Sequence, residues 1–154
     1  MRFVAHWLVK SEPNAFSIDD LKDQKRTTWE GVRNFQARNS LRAMAKGDLV
    51  LYYHSNCDVP AVVGVAKVVR TAYPDPTQFD PTSHYFDATS KLLDPRWSMV
   101  DVGFVKKLKR PVSLTELKEE HGGHLGDFAL TRKGNRLSVL PVTPEQFEYI
   151  VNLK

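Results

Sequence analysis

The sequence contains a single cysteine, Cys57, among 154 residues, and one cysteine cannot build a disulfide framework. A reducing compartment is the simplest interpretation, because disulfides persist mainly in secreted and extracellular proteins. No stretch reaches the ~20 apolar residues that a membrane-spanning helix requires. The apolar run near the start is interrupted by Lys10 and Glu12 and is too short for a signal peptide. These absences predict a cytoplasmic protein, or a nuclear one in a eukaryote.

A phosphate-binding glycine loop and a metal-ligand set are also missing. Gly122 and Gly123 form too short a run and are not followed by Lys-Ser or Lys-Thr. His121 and His124 are the only close histidine pair, and their loop adds only Asp127 as a third ligand. Zinc sites normally show three or four ligands in a recognisable spacing. We therefore expect no metal and no cofactor.

No nucleophile or carboxylate pair points clearly to catalysis. Cys57 lies near His54 in sequence, but a catalytic thiolate needs an activating base that the sequence does not reveal. Asp101 stands in an apolar strand, and a buried carboxylate must be hydrogen-bonded or paired. The balance favours a protein that is not an enzyme. The alternative is a small hydrolase acting on nucleotides or nucleic acid, with Lys10, His54 or Asp101 as acid–base groups.

What the sequence does contain is a modest excess of positive charge. Lys and Arg total 22 against 18 Asp and Glu, for a net charge of +4, which favours a polyanionic partner without requiring one. The basic residues fall into three clusters, at residues 33–42, 106–110 and 132–136. If two clusters converge in the fold they could follow a phosphate backbone; otherwise they are ordinary solvated surface.

Helix starts are well marked. Ser17, Ser113 and Thr143 are each followed three residues later by an acid or amide and flanked by apolar residues, which is the capping-box and staple pattern. These signals predict helices near 18–24, 114–120 and 144–152. A fourth helix is predicted after residue 36, because Ala37, Leu41 and residues 44–45 make one apolar stripe before Gly47.

Apolar runs predict strands at 3–9, 48–54, 61–70 and 99–107, with short strands near 127–131 and 136–140. The order lacks regular βαβ alternation, so we expect an α+β fold in which helices pack on a small, partly closed mixed sheet. No repeat or linker divides the chain, so residues 1–154 are expected to form one domain.

Residues 71–97, which we call the flap, have neither helical nor strand period. The flap holds four of the nine prolines and no glycine. A loop of this length in a compact domain is usually functional or disordered, and its five aromatic residues argue against disorder. We predict an ordered segment that lies over one face of the domain.

Residues 28–39 stand out by composition. One Trp, one Gly, two Arg, two Asn and one Gln fall within a dozen residues, directly ahead of the predicted second helix. An aromatic face beside amide and guanidinium groups suits the stacking and edge recognition of a planar ring. The equally weighted alternative is that Trp29 belongs to the core and the polar side chains cap the next helix.

Three pieces of sequence, in this order and spacing, resemble the EVE domain family: residues 6–13 (HWLVKSEP), 29–39 (WEGVRNFQARN) and 52–57 (YYHSNC). Within that family the sequence is most similar to the thymocyte nuclear protein type. Further matches lie at residues 64–69, 73–74, 77–79, 97–102 and 136–138. The long basic N-terminal tail of nuclear members is not present, which puts nuclear import in doubt and suggests a stand-alone, bacterial version.

The resemblance implies a PUA-like fold, a small mixed β-barrel flanked by helices, related to the YTH and ASCH domains. It also implies recognition of a modified base in DNA or RNA, with modified cytosine the usual suggestion, in an aromatic-lined pocket. A reader of a free modified nucleoside is a further alternative.

Carried over by position, the resemblance implies a base pocket with Trp29 as stacking wall, Trp97 as second wall, and Asp101 as acceptor for an exocyclic amine. The remaining pocket residues would be Lys10, Ser11, Val32, Arg33, Asn34, His54, Ser55 and Asn56. For the nucleic-acid backbone the expected contacts are Arg38, Arg42, Arg132, Lys133 and Arg136.

Overall fold

The computed structural model describes residues 4–154, so Phe3, in the predicted first strand, lies outside the described residues. The strands are β1 (His6–Ser11), β2 (Arg26–Thr28), β3 (Leu49–His54), β4 (Ala61–Pro74), β5 (Ser98–Ser113) and β6 (Val139–Val142). The helices are α1 (Ile18–Gln24), α2 (Phe35–Ala43), α3 (Leu114–Glu119) and α4 (Pro144–Val151), and 3-10 turns occupy Pro76–Phe79 and Ala129–Thr131. Within the described residues, none of the helices combines the length and apolar character needed to cross a membrane.

The strands of residues 4–154 form one six-stranded sheet in the order β2-β5-β4-β3-β1-β6. β1 pairs in parallel with β3, whereas its other neighbour, β6, is antiparallel. The pairs β3–β4, β4–β5 and β2–β5 are antiparallel as well. A mixed sheet with short helices confirms the predicted α+β class.

Both faces of the sheet are buried, because the inner strands are apolar at consecutive positions. On β1, Trp7 and Val9 pack into a cluster with the apolar residues of α1 and α2. Leu8, between them, joins a second cluster with α3 and α4. The helices therefore cover opposite faces of the sheet. Because β1 and β3 are parallel and in register, their C-terminal residues, Ser11 and His54, lie side by side at the same end of the sheet.

The predicted helix caps are confirmed. Ser17 and Thr143 form complete capping boxes, in which the cap hydroxyl accepts from the backbone of the third helical residue and that residue's side chain accepts from the cap N–H. Ser113 accepts from the backbone N–H of Glu116. α2 starts at Phe35 and ends at Ala43, shorter than its apolar stripe, because Met44 leaves the helix.

Two predicted strands are wrong in detail, and one observed strand was not predicted. Residues 127–131 contain a 3-10 turn whose Ala129 and Leu130 are buried in the second cluster, so their apolar character reflects burial without a strand partner. The last strand is displaced from 136–140 to 139–142. β2 has only three residues, all polar, and is defined by its pairing with β5. β4 and β5 run longer than predicted, through several β-bulges.

The flap begins as the end of β4 and then turns irregular but well hydrogen-bonded. Its Gln78 is fully buried and links the two ends of the segment: its amide nitrogen donates to the carbonyls of Asp75 and Trp97. Its amide oxygen accepts from the Trp97 N–H and the Ser90 hydroxyl. A buried amide satisfied on four sides holds the segment in one conformation.

Candidate functional site

An open pocket of about 680 Å³ lies where β1 and β3 end, beside the residues that follow β2. We call it the Trp29 pocket. It is lined by Lys10, Ser11, Glu12, Ala15, Phe16, Thr27, Thr28, Trp29, Glu30, Gly31, Val32, Ser55, Tyr85, Arg136 and Ser138. Its volume is typical of small-molecule sites, which are clefts of ~300–1,000 Å³.

Trp29 is both a core residue and a pocket residue, so the two alternatives for it are not exclusive. It is 8% exposed and packs edge-on against Tyr52, with ring centroids 5.5 Å apart. Its backbone N–H donates to the carbonyl of Val100, which holds it against β5. Trp29 also belongs to the pocket lining.

The indole N–H of Trp29 differs from those of the other two tryptophans. Trp7 donates its Nε1–H to Asp48 at 3.0 Å, and Trp97 donates to Asp87 at 2.7 Å. Within residues 4–154 the Trp29 side chain makes no hydrogen bond, and its Nε1 is not among the fully buried unpaired atoms. Trp29 thus combines a place in the pocket lining with an indole N–H that has no partner among the described residues.

Lys10 supplies a second unused donor. It is half-buried at the end of β1, and burial lowers the pKa of its ammonium group below the usual value. Among the described residues no carboxylate pairs with it. Its neighbour Ser11 donates its hydroxyl to the Phe16 carbonyl at 2.8 Å. A cation without a counter-ion in a pocket favours an anionic or acceptor-rich ligand.

Tyr85, which the sequence reasoning missed, is the flap's contribution to the pocket. Gly31 has φ +85°, and a Cβ at that position would lie 2.6 Å from the Tyr85 ring. Only glycine permits both this conformation and this close approach. Tyr85, seated on the Gly31 backbone, thus joins Phe16 and Trp29 as an aromatic residue of the lining.

Arg33 and Asp75 join the pocket to the flap. The Arg33 guanidinium donates to Asp75 at 3.0 Å, to the Thr77 hydroxyl at 2.9 Å and to the Tyr85 carbonyl at 2.8 Å. Asp75 is completely buried and also accepts from the Gly31 N–H at 2.8 Å. We call this set of contacts the latch. Arg33 therefore positions the pocket wall and is not itself in the lining.

The ionisation of Asp75 follows from the latch. Burial alone raises the pKa of this carboxyl, but the hydrogen bonds from Thr77, Gly31 and Arg33 together outweigh it. The pKa of Asp75 consequently lies below its ordinary value of 3.8. The carboxylate is charged and satisfied at neutral pH.

Several other predicted pocket residues have structural partners instead. Asn34 caps α2, accepting from the Ala37 N–H at 2.9 Å, as the alternative interpretation expected. His54 accepts from the backbone N–H of Ile18 at the start of α1, and burial lowers the pKa of its imidazole, which keeps it neutral. Asn56 donates to Glu12 at the pocket rim. None of the three lines the Trp29 pocket, whereas Val32 and Ser55 do.

The structure also places Trp97 and Asp101 outside the pocket lining. Trp97 is 5% exposed and stacks on Phe35, with ring centroids 5.0 Å apart. Asp101 accepts from Arg26 at 2.9 Å and from the Tyr73 hydroxyl. Burial, together with the bond to Asp101, raises the pKa of Tyr73 to about 12. Of the acid–base candidates Lys10, His54 and Asp101, only Lys10 therefore lines the pocket.

The five predicted backbone-contact residues separate into three places. Arg136 lines the Trp29 pocket, and Arg38 and Arg42 line a second cavity beside the flap. Arg132 pairs with Asp127 at 2.9 Å, which raises the pKa of the guanidinium, and Lys133 is exposed in the same loop. Members of the first and third basic clusters thus line separate cavities.

A signal for the flap was present in the sequence. Asp75, Asp80 and Asp87 are each followed two residues later by threonine, and in all three turns the carboxylate accepts from the threonine N–H and hydroxyl. These aspartate turns are a local motif with a known mechanism. They could have predicted an ordered segment with fixed turns.

Sequence comparison matches the EVE domain profile to residues 5–153. Human thymocyte nuclear protein 1 is 47% identical over 97% of this chain and 74% of its own length. A Pseudomonas syringae protein of known structure is 50% identical, with a TM-score of 0.90 over 95% of this chain and 97% of that one. The crystal structure of human THYN1 protein in complex with 5-methylcytosine-containing DNA matches at 46% identity and a TM-score of 0.90. That match covers 96% of this chain and 95% of that chain.

Proposed function

The chain belongs to the EVE domain family, and we propose that it binds DNA carrying a modified base, with the base held in the Trp29 pocket. The human relative whose structure was determined with 5-methylcytosine-containing DNA supports DNA as the partner. RNA carrying the same modification is the alternative target that the experiment below must test.

The observation that carries the proposal is the pair of unused donors beside an aromatic surface. The Trp29 N–H and the Lys10 ammonium are both without partners among the described residues, and Tyr85 stands in the same lining. A cytosine ring offers its carbonyl oxygen and ring nitrogen as acceptors on one edge and its exocyclic amine as donor. The two donors suit the acceptor edge.

The acceptor for the exocyclic amine must then come from within the lining. Asp101 is committed to Arg26 and Tyr73, but Glu12 and Glu30 line the Trp29 pocket. Glu12 is oriented by its hydrogen bond from Asn56 at 2.6 Å. We therefore assign to Glu12 the acceptor role first predicted for Asp101.

The test is fluorescence anisotropy at two salt concentrations, with single- and double-stranded DNA and RNA probes. The probes carry 5-methylcytosine, 5-hydroxymethylcytosine, N6-methyladenine or no modification. We expect tighter binding to one modified DNA probe. Because Trp29 belongs to the core, Trp29→Phe is preferable to Trp29→Ala. It should weaken that binding about tenfold, since phenylalanine lacks the indole N–H and one hydrogen bond contributes ~0.5–1.5 kcal/mol.

Trp7→Phe is the matched control, because Trp7 lies in the same core cluster but not in the pocket lining. It should lower stability and leave the preference among probes intact. Equal, salt-sensitive binding to every probe would contradict the proposal and leave only a basic surface. Binding of free modified nucleosides alone would also contradict it and point to a small-molecule reader.

A further inference from the structure

A second cavity of about 290 Å³ is lined in part by flap residues 89–91 and 94–96, and it is strongly basic. Arg38, Arg42 and Arg96 belong to its lining. Arg38 donates to the Arg96 carbonyl at 3.1 Å, and Arg42 donates to the Ser98 hydroxyl at 2.9 Å. Within the described residues neither pairs with a carboxylate. We call this the basic cavity.

The charges in the basic cavity are close enough to affect one another. Burial, followed by the charges of Arg42 and Arg96, lowers the pKa of Arg38. One carboxylate, Asp94, belongs to the lining, and Arg96 also lies 3.5 Å from Asp87. Because Arg38 and Arg42 have no carboxylate partner among the described residues, the cavity favours an anionic ligand over a neutral one.

The tip of the flap stands at the rim of this cavity and exposes two adjacent leucines. Leu92 is 78% exposed and Leu93 is completely exposed. Their flanking residues close a tight turn, in which the Asp94 N–H donates to the Lys91 carbonyl at 3.0 Å. Isolated exposed leucines are ordinary. Two adjacent leucines on a hydrogen-bonded turn form a small apolar projection whose backbone is held in place.

The basic cavity and the Trp29 pocket are separated by one continuous stack of side chains. Arg33 lies over both the Tyr85 ring, at 5.6 Å, and the Trp97 ring, at 5.5 Å. Trp97 in turn stacks on Phe35, which lines the basic cavity. The flap therefore connects a pocket that fits a base to an apolar tip and a cationic recess.

We infer that the Leu92–Leu93 tip is a wedge that enters the base stack of duplex DNA, while the basic cavity holds a neighbouring backbone phosphate. This inference rests on the proposed function. A base inside a duplex must be unstacked before it can enter a pocket, and apolar side chains inserted between base steps partly unstack them. The cationic side chains of the neighbouring basic cavity favour a polyanionic partner for the tip.

The test compares Leu92→Asn/Leu93→Asn with Leu92→Met/Leu93→Met, which keeps the tip apolar. Both leucines are exposed, so neither variant should lose stability. Each protein is measured against two duplexes that carry the modified base preferred by the wild type, one fully paired and one with that base mispaired. A 2-aminopurine beside the modified base reports unstacking by its fluorescence.

The Asn variant should bind the paired duplex about tenfold more weakly and lose the fluorescence rise, while its affinity for the mispaired duplex changes little. The Met variant should behave as the wild type. Equal affinities for all proteins, or equal losses on both duplexes, would overturn the wedge and leave the proposed function standing. Failure of the wild type to prefer any modified duplex would overturn both.

The basic cavity is tested separately on the same probes. Arg42→Gln should weaken binding to paired and mispaired duplexes alike and reduce the dependence of affinity on salt. Inorganic phosphate should compete if the cavity takes any phosphate, and only DNA should compete if the backbone is required. An unchanged salt dependence would overturn the phosphate assignment.

Discussion

Trp29 and Trp97 are almost equally buried, at 8% and 5% exposed. The polar groups around them differ, however, in whether they have hydrogen-bond partners. Around Trp97 the indole N–H, the Gln78 amide and the Asp87 carboxylate all have partners. Around Trp29 the indole N–H and the Lys10 ammonium do not, within the described residues. Burial alone therefore does not separate a site from a scaffold.

The difference has a physical explanation. A buried polar group without a partner costs ~1–3 kcal/mol. A region that serves only the fold therefore pairs its buried polar groups with hydrogen-bond partners, as Gln78 does in the flap. A region that binds a ligand keeps some donors open and gains their hydrogen bonds on binding. The latch joins the two regions, since Arg33 holds the flap carbonyl beside the pocket wall. Changes in the latch should therefore affect both.

Breaking the latch should produce the largest loss of stability. Arg33→Ala leaves the fully buried Asp75 carboxylate without its cationic partner, and removing one member of a buried pair costs about 3 kcal/mol or more. Urea unfolding measures the loss. Arg26→Ala is the matched control, because its ion pair with Asp101 is largely exposed on the arginine side and should cost at most about 1 kcal/mol. Equal losses for the two variants would show that the latch is not a special contact.

Gly31→Ala should have the next largest effect, and it should appear in binding as well as in stability. The positive φ of residue 31 costs an alanine about 1–2 kcal/mol. The added Cβ must also displace the Tyr85 ring. Gly47→Ala shares the positive φ but has no atom within 4 Å of its Cβ. We expect both variants to lose stability in urea unfolding, and only Gly31→Ala to lose binding to the modified probe.

Acid should weaken the latch by a smaller, graded amount. The pKa of Asp75 is lower in the folded protein than its ordinary value of 3.8, so its stabilisation is complete above that value and is lost as the pH falls through the folded pKa. We expect the stability difference between the wild type and Asp75→Asn to stay constant at neutral pH and to shrink as the pH falls below the ordinary pKa of 3.8. Urea unfolding at several pH values measures this difference. A constant difference would show that the charge of Asp75 contributes nothing.

The sequence predicted the scaffold better than the site. Helix caps such as Ser17 and Thr143 were found because the signal lies within four residues. β2 was missed, because three polar residues become a strand only by pairing with β5. Lys10, Ser11 and Trp29, which the family resemblance predicted for one pocket, share one lining in the structure, whereas Tyr85 comes from a distant loop that meets Gly31 only in the folded chain.

The same reasoning applies to Trp97 and Asp101, which were predicted for the pocket and lie outside its lining. In sequence, a tryptophan or a carboxylate in an apolar segment fits a ligand role and a structural role equally well. Their partners, Asp87 for Trp97 and Arg26 with Tyr73 for Asp101, lie 10, 75 and 28 positions away. Three-dimensional contacts of that kind are not encoded in local pattern, so only the structure distinguishes the roles.

Lys10→Met sharpens the comparison most, because it should change stability least and binding clearly. Lys10 is half-buried without a carboxylate partner in residues 4–154, and burial lowers its pKa. Methionine keeps the apolar length of the side chain and removes the cost of burying the charge. Stability should therefore stay within about 0.5 kcal/mol of the wild type or rise slightly, while affinity for the modified probe falls.

Because only the ammonium form of Lys10 carries a positive charge, wild-type binding should weaken as the pH rises through the lowered pKa and approach that of Lys10→Met. If the variant lost stability and kept its affinity, Lys10 would belong to the scaffold, and the contrast between the two regions would have to rest on Trp29 alone.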